Sequence, residues 1–204
     1  DIQDIVSQGG GTHGLMGFVL HPEFGQPGSP NRNYFYLFYR YIPDGTPLTT
    51  ETNSYRRLSR FELTEGSNVA KRSSELVMIQ QFVRSRIHSG GGMVFDKNGF
   101  LFIGLGDAGN CCEQYSTQRL DRWLLGGILR IDVDEKGGNI SHPIRRQPVN
   151  YEDSATKFPD GWEDSYSQGY YIPNANPWQD RSGGTLEEFY ALGIRHAYTL
   201  MYDA

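Results

Sequence analysis

The chain has 204 residues, enough for one large domain or two small ones, and its 37% hydrophobic and 21% charged content is that of a folded protein without low-complexity tracts. A net charge of −5 and a pI near 5.5 argue against a nucleic-acid partner, which usually needs a basic face. The 13 tyrosines, 11 phenylalanines, 25 glycines and 10 prolines favour strands and turns over long helices.

Ile2 to Val6 reads as the tail of a strand, and the opening Asp1-Ile2-Gln3-Asp4-Ile5 does not read as the basic start and apolar core of a signal peptide. Leu15–Leu20 is a strand, followed by His21-Pro22, and Gly25–Asn31 is a loop. Tyr34–Tyr39 reads as a strand buried on both faces, its aromatics core rather than a stacking platform. Leu58–Leu63 alternates like a half-exposed strand and Leu76–Gln81 reads as its partner. Arg56, Arg57 and Arg60, with Lys71 and Arg72, are expected to point outward as a solvated face of that hairpin.

The most informative stretch follows. Apolar runs 93–95 and 100–105 flank Asp96-Lys97-Asn98-Gly99, a strong hairpin signal. His88 and the glycines 90–92 stand at its mouth, where backbone can approach a neighbouring strand or a flat ligand. An imidazole there can take a proton near neutral pH. Asp107, at the end of the second strand, reads as a turn-capping carboxylate or a pocket residue.

Cys111 and Cys112 are adjacent: two thiols, or one bonded outside this segment, or a strained vicinal disulfide. Thr117–Leu125 resembles a short helix, and Gly127–Asp134 a strand. Asp132–Gly137 lacks the later acidic residue of a calcium loop and reads as a turn. Residues 136–187 read as an irregular insertion anchored by Trp162 and Trp178, within a single domain over 1–204. Glu188–Leu192 returns to strand, and Leu200–Ala204 stops inside one, so a segment of a longer protein is expected. No apolar run reaches the roughly 20 residues of a membrane span.

Gly17–His21, Gly92–Asp96 and Thr199–Asp203 share one shape, their starts at 17, 92 and 199. These steps exceed a propeller blade of roughly 40 to 50 residues, but loops can fill the difference. Repeated strand modules without helices point to a β-propeller, with a β-sandwich still open.

Five segments in order resemble the glucose/sorbosone dehydrogenase family of soluble quinoprotein sugar dehydrogenases. They are Gly14–Phe24 with Tyr34–Leu37, His88–Gly91 with Gly99–Asp107, Leu125–Asp132, Ile172–Pro177 and Tyr190–His196. The resemblance implies an all-β, six-bladed β-propeller of which about half is present. It implies pyrroloquinoline quinone (PQQ) as cofactor and calcium, whose ligands are expected outside this chain; no residue here is assigned to a metal. His88 is then the general base that takes the proton of an aldose or alcohol hydroxyl while the C1 hydride passes to the quinone. Arg195 and His196 are cofactor contacts, and Thr12, His13 and Asp107 belong to the substrate pocket. An external electron acceptor such as a cytochrome and a periplasmic or extracellular location follow from the same resemblance.

The chain departs from the family at three positions: Ile87 where an acid often precedes the histidine, Thr12 where a glutamine is expected, and His196 in place of an asparagine. The family also includes the hedgehog-interacting proteins, so a non-catalytic propeller binding carbohydrate or protein is the first alternative. A lactonase-type hydrolytic propeller is the second; it would need a carboxylate cluster for calcium, and none is visible in the sequence.

Overall fold

The computed structural model describes residues 2–50, 52–109, 118–150 and 158–203. The Cys111-Cys112 pair lies outside them. All eleven strands described are paired antiparallel, and no helix occurs among the described residues.

The first sheet is β1 (Leu15–Leu20), β2 (Tyr34–Tyr41), β3 (Ser54–Leu63) and β4 (Ala70–Val83), in that order. The second sheet starts with β5 (Gly90–Phe95), β6 (Leu101–Leu105) and β7 (Gly127–Ile131). Segment 136–187 contributes only strands of two or three residues. These are β8 (Ser141–Pro143), β9 (Tyr166–Ser167) and β10 (Tyr171–Pro173). Strands β8 and β10 pair with each other, and β9 adds to the edge of β4. The chain then returns as β11 (Phe189–Leu192) to complete the second sheet beside β7.

Alternation along β2 explains how the sheets stack. Tyr36 and Phe38 face the second sheet and meet Leu101, Ile103, Leu129, Ile131 and Phe189 in the main core. Phe35, Leu37 and Tyr39 face the other way, onto Ile5 and Phe61. Trp162 stacks on Tyr55 at 5.3 Å, and Trp178 packs against the main core.

The hairpin forms as its turn chemistry dictates. The Asp96 carboxylate accepts the Asn98 and Phe100 amides, both at 2.9 Å, and Gly99 supplies the φ of 75°. Phe95 then faces Leu101, Val94 faces Phe102, and Gly90 faces Leu105 after a bulge.

The glycines serve backbone packing. A Cβ on Gly17 would lie 2.2 Å from the Gly91 carbonyl oxygen, so β1 and β5 run against each other. A Cβ on Gly92 would lie 2.8 Å from the Leu200 amide nitrogen. The three similar segments starting at 17, 92 and 199 are thus successive neighbours. Residues 199–203 nevertheless form no strand.

Two further expectations are corrected. Residues 118–125 are turn and bend, not helix. The Leu124 amide donates to the Gln81 side chain at 3.0 Å, and the Leu120 carbonyl accepts the Leu186 amide. The leucines bury as a loop because these partners satisfy the backbone from outside the segment. Arg56 and Arg57 are not outward charges: both are buried, Arg56 completely. Arg56 shares the parity of Leu58, which faces the main core, while Arg57 lies over the Tyr41 ring at 3.4 Å and donates to Gln80.

Candidate functional site

The register that closes the hairpin at Asp96–Gly99 sets its other end, where His88 and Asp107 flank the paired Gly90 and Leu105. His88 Nδ1 lies 2.8 Å from Asp107 Oδ1, and both side chains keep a minor part of their surface exposed. A carboxylate only accepts, so Nδ1 carries a proton, and in the neutral ring the lone pair is then on Nε2. No hydrogen bond among the described residues uses Nε2.

The backbone at this turn is unusual. His88 has φ of 52° and Ala108 of 65°, in the left-handed region that favours glycine. Such conformations cluster where structure over-determines them. Gly106 is required by close approach: its Cβ would fall 1.8 Å from the His88 carbonyl oxygen. The Asp107 carboxylate also accepts the Gly109 amide at 2.8 Å, which fixes its direction.

Segment 195–198 runs over this end. The Asp107 amide donates to the Arg195 carbonyl at 3.0 Å, and Arg195 Nη1 lies 3.4 Å from Asp107 Oδ2. The Arg195 side chain is 61% exposed, so its guanidinium reaches Asp107 from the open face. His196 Nδ1 accepts the Gly90 amide at 3.2 Å, leaving the ring proton on Nε2. Its ring stacks on His88 at 5.5 Å and on Tyr198 at 5.3 Å. Burial, with the neighbouring His88 and Arg56, holds the His196 imidazole below its ordinary range, so it is neutral at pH 7.

The structure therefore brings His88, Asp107, Arg195 and His196 together. Thr12 stands one residue behind, its hydroxyl donating to Ser89 Oγ at 3.0 Å and accepting the Ser89 amide at 3.1 Å. His13 bonds the Ser7 hydroxyl across the same loop. A cavity of about 780 Å³ lined by Asp121, Trp123, Arg146 and Asp164 includes none of these residues. No group of three or more His, Cys, Asp or Glu side chains among the described residues could hold a metal ion.

One pairing and one residue escape the sequence reading. Asp107 reads there as a pocket residue but not as the partner of His88, a pairing its position symmetric with His88 about the hairpin turn could have revealed. Arg56 lies beneath both: Nη1 donates to the Gly106 carbonyl at 2.7 Å and Nη2 to the His88 carbonyl at 2.8 Å. Counting by twos from Leu58 would have turned Arg56 inward.

Among known proteins, residues 2–150 match the sequence model of Glucose / Sorbosone dehydrogenase. The chain is 28% identical over 118 residues to the HIPL1 protein of Arabidopsis thaliana and 29% identical over 115 residues to its HIPL2 protein. These alignments take in 57% and 56% of the chain, and 14% of the length of either relative. Two solved structures of glucose dehydrogenase superpose with TM-scores of 0.54 and 0.55 at 20% identity, covering 93% of this chain and 39% of theirs. The two stacked sheets are thus part of a β-propeller. The match over residues 2–150 makes this chain a member of the glucose/sorbosone dehydrogenase family.

Proposed function

We propose that this chain carries the proton-accepting half of a PQQ-dependent dehydrogenase acting on an aldose or a related alcohol at C1. The observation that carries the reading is the His88–Asp107 pair at 2.8 Å with Nε2 unused among the described residues. A neutral imidazole oriented in this way accepts a proton from a substrate hydroxyl placed at Nε2. Asp107 stabilises the imidazolium that results, and Arg195 balances the second carboxylate oxygen.

The residues present suit an anionic, planar quinone. Arg195 offers a guanidinium on the open face, where bidentate binding of carboxylates is favoured. His196 offers an Nε2–H donor beside it. When bound, PQQ supplies the two-electron acceptor for the C1 hydrogen, which no protein side chain provides. In this reading the protein works in the periplasm or outside the cell and passes electrons to an external acceptor such as a cytochrome.

The test is dye-linked oxidation of a panel of aldoses and alcohols by the whole protein supplied with PQQ and calcium. Activity is expected, and His88→Ala should lower kcat about 100-fold to 10,000-fold while PQQ binding persists. Absence of both turnover and PQQ binding overturns the dehydrogenase reading; full activity in the variant overturns the base. A second reading, a propeller face that binds carbohydrate or protein without turnover, is favoured by the similarity to the two HIPL proteins. Sugar binding without oxidation would support it.

A further inference from the structure

Two arginines, Arg40 and Arg56, face each other across β2 and β3 and are completely buried. They occupy the inward positions that continue Tyr36-Phe38 and Leu58, where a sheet core would carry apolar side chains. Burying a guanidinium costs several kcal/mol unless its hydrogen bonds are met. Arg40 spends its two Nη groups on the Ser85 carbonyl at 2.7 Å and Ser89 Oγ at 3.4 Å, while the Nε of both arginines is buried without a partner among the described residues. Arg56 spends its own on the carbonyls of His88 and Gly106. No carboxylate bonds either guanidinium among the described residues. Four backbone or hydroxyl acceptors, all from the strands and turns that carry His88, take that role.

We propose that Arg56 is a positioning residue for His88: its buried guanidinium ties the carbonyls of residues 88 and 106 together and so fixes the left-handed turn that aims the imidazole at Asp107. The inference rests on the reading of His88 as the base. A single donor group holds both sides of the hairpin mouth, at the residue before Ser89 and at the residue before Asp107. Without it the His88 carbonyl would lose its donor, the Gly106 carbonyl would keep only the Gly126 amide at 3.0 Å, and His88 could relax from its φ of 52°. The guanidinium also sets a positive charge beside Asp107. Burial pushes Arg56 down to about 9, with the Asp107 charge opposing, so it stays cationic at neutral pH.

Lysine cannot reproduce this arrangement, because one ammonium does not present the planar fork that reaches two carbonyls. The experiment compares the wild-type chain with Arg56→Met and Arg56→Lys. The readouts are the NMR resonance of the His88 Nδ1 proton, assigned by its loss in His88→Ala, and the split of kcat and KM for the sugar. Circular dichroism first establishes which variants fold.

The expected result is a folded variant whose Nδ1 proton exchanges with water too fast to observe. Its kcat falls on the order of 100-fold with KM altered less than about twofold. A merely structural arginine would lower the melting temperature and leave both readouts unchanged in the folded fraction. If Arg56→Met does not fold, Arg56→Lys decides. A folded variant with the wild-type resonance and wild-type kcat overturns the proposal. The resonance is read without substrate or cofactor. Should the wild-type protein oxidise no sugar, the dehydrogenase reading fails, and the NMR comparison still tests whether Arg56 positions His88.

Discussion

Two histidine–aspartate pairs stand at opposite ends of the same strands, and they differ in what the imidazole has left to give. At the far end of β1, His21 is buried, with Nδ1 accepting the Glu23 amide at 3.1 Å and Nε2 donating to Asp134 at 3.0 Å. Its ring packs edge-on against Phe95 at 5.6 Å, beside the closed end of the hairpin. Asp134 is held further by Asn31 at 3.1 Å and Lys136 at 3.2 Å. Every polar atom is consumed, and the pair joins the first sheet to the turn after β7. At the hairpin mouth, His88 makes one ring hydrogen bond from a left-handed backbone. A pair of the same composition is a cross-link where both nitrogens are satisfied; where one is left over, as the proposed function requires of His88, the ring can take a proton.

The sharpest way to break this contrast is the same substitution at both ends. Asp107→Asn is expected to lower kcat on the order of 1,000-fold, about 4 kcal/mol, because an amide no longer imposes the Nδ1–H tautomer. Asparagine retains an acceptor for the Gly109 amide, so unfolding by denaturant should change by about 1 kcal/mol or less. Unaltered kcat in the variant would place His88 in the same structural class as His21.

A background titration must be removed before the far pair can be read by pH. Glu188 is buried, and burial pushes its carboxyl up to about 7 despite the bond from the Tyr170 hydroxyl at 2.8 Å. The folded state therefore holds the proton more tightly than the unfolded chain. The associated stability is complete below the usual carboxylate range and is lost as pH rises towards about 7. At about 1.4 kcal/mol per pKa unit the loss is roughly 3 kcal/mol. Glu188→Gln keeps an acceptor for Tyr170 and should flatten the denaturation midpoint across that window. A wild-type slope in the variant would exclude Glu188 as its source.

What the sequence made legible follows how local the governing physics is. The hairpin of β5 and β6 was readable because Asp96 and Gly99 close the turn with their own atoms. The aromatic run of β2 was readable because both of its faces are apolar. His88 was legible from its place at the hairpin mouth, but Arg195 and His196 came from a family pattern, and spacing alone would not have joined residues 107 positions apart. Segment 118–125 misled because Leu120 and Leu124 are spaced like a helical face, while their backbone partners come from far along the chain, Gln81 in β4 and Leu186 in the loop before β11. Arg56 misled because charge was weighed before strand parity. A buried arginine is improbable on composition, and only the two carbonyls opposite it make the position tolerable.

Asp134→Asn is the smallest change and completes the contrast. Burial opposes ionisation of Asp134, but the His21 bond and Lys136 outweigh it and hold the carboxyl below its ordinary range. A depressed carboxylate contributes stability above its unfolded pKa, and that contribution disappears as pH falls through the folded value. An asparagine can still accept from His21 Nε2, so the variant loses the charge interaction with Lys136 and keeps the hydrogen bond. Lys136 retains Asp132 at 3.0 Å, which limits the loss to about 1 kcal/mol at neutral pH. Measured on the Glu188→Gln background, the two proteins should differ near neutrality and converge at acid pH, with sugar oxidation unchanged by Asp134→Asn. A constant gap at every pH would mean that His21 and Asp134 are held by packing alone, and a fall in kcat would mean that the two ends of the sheets are coupled.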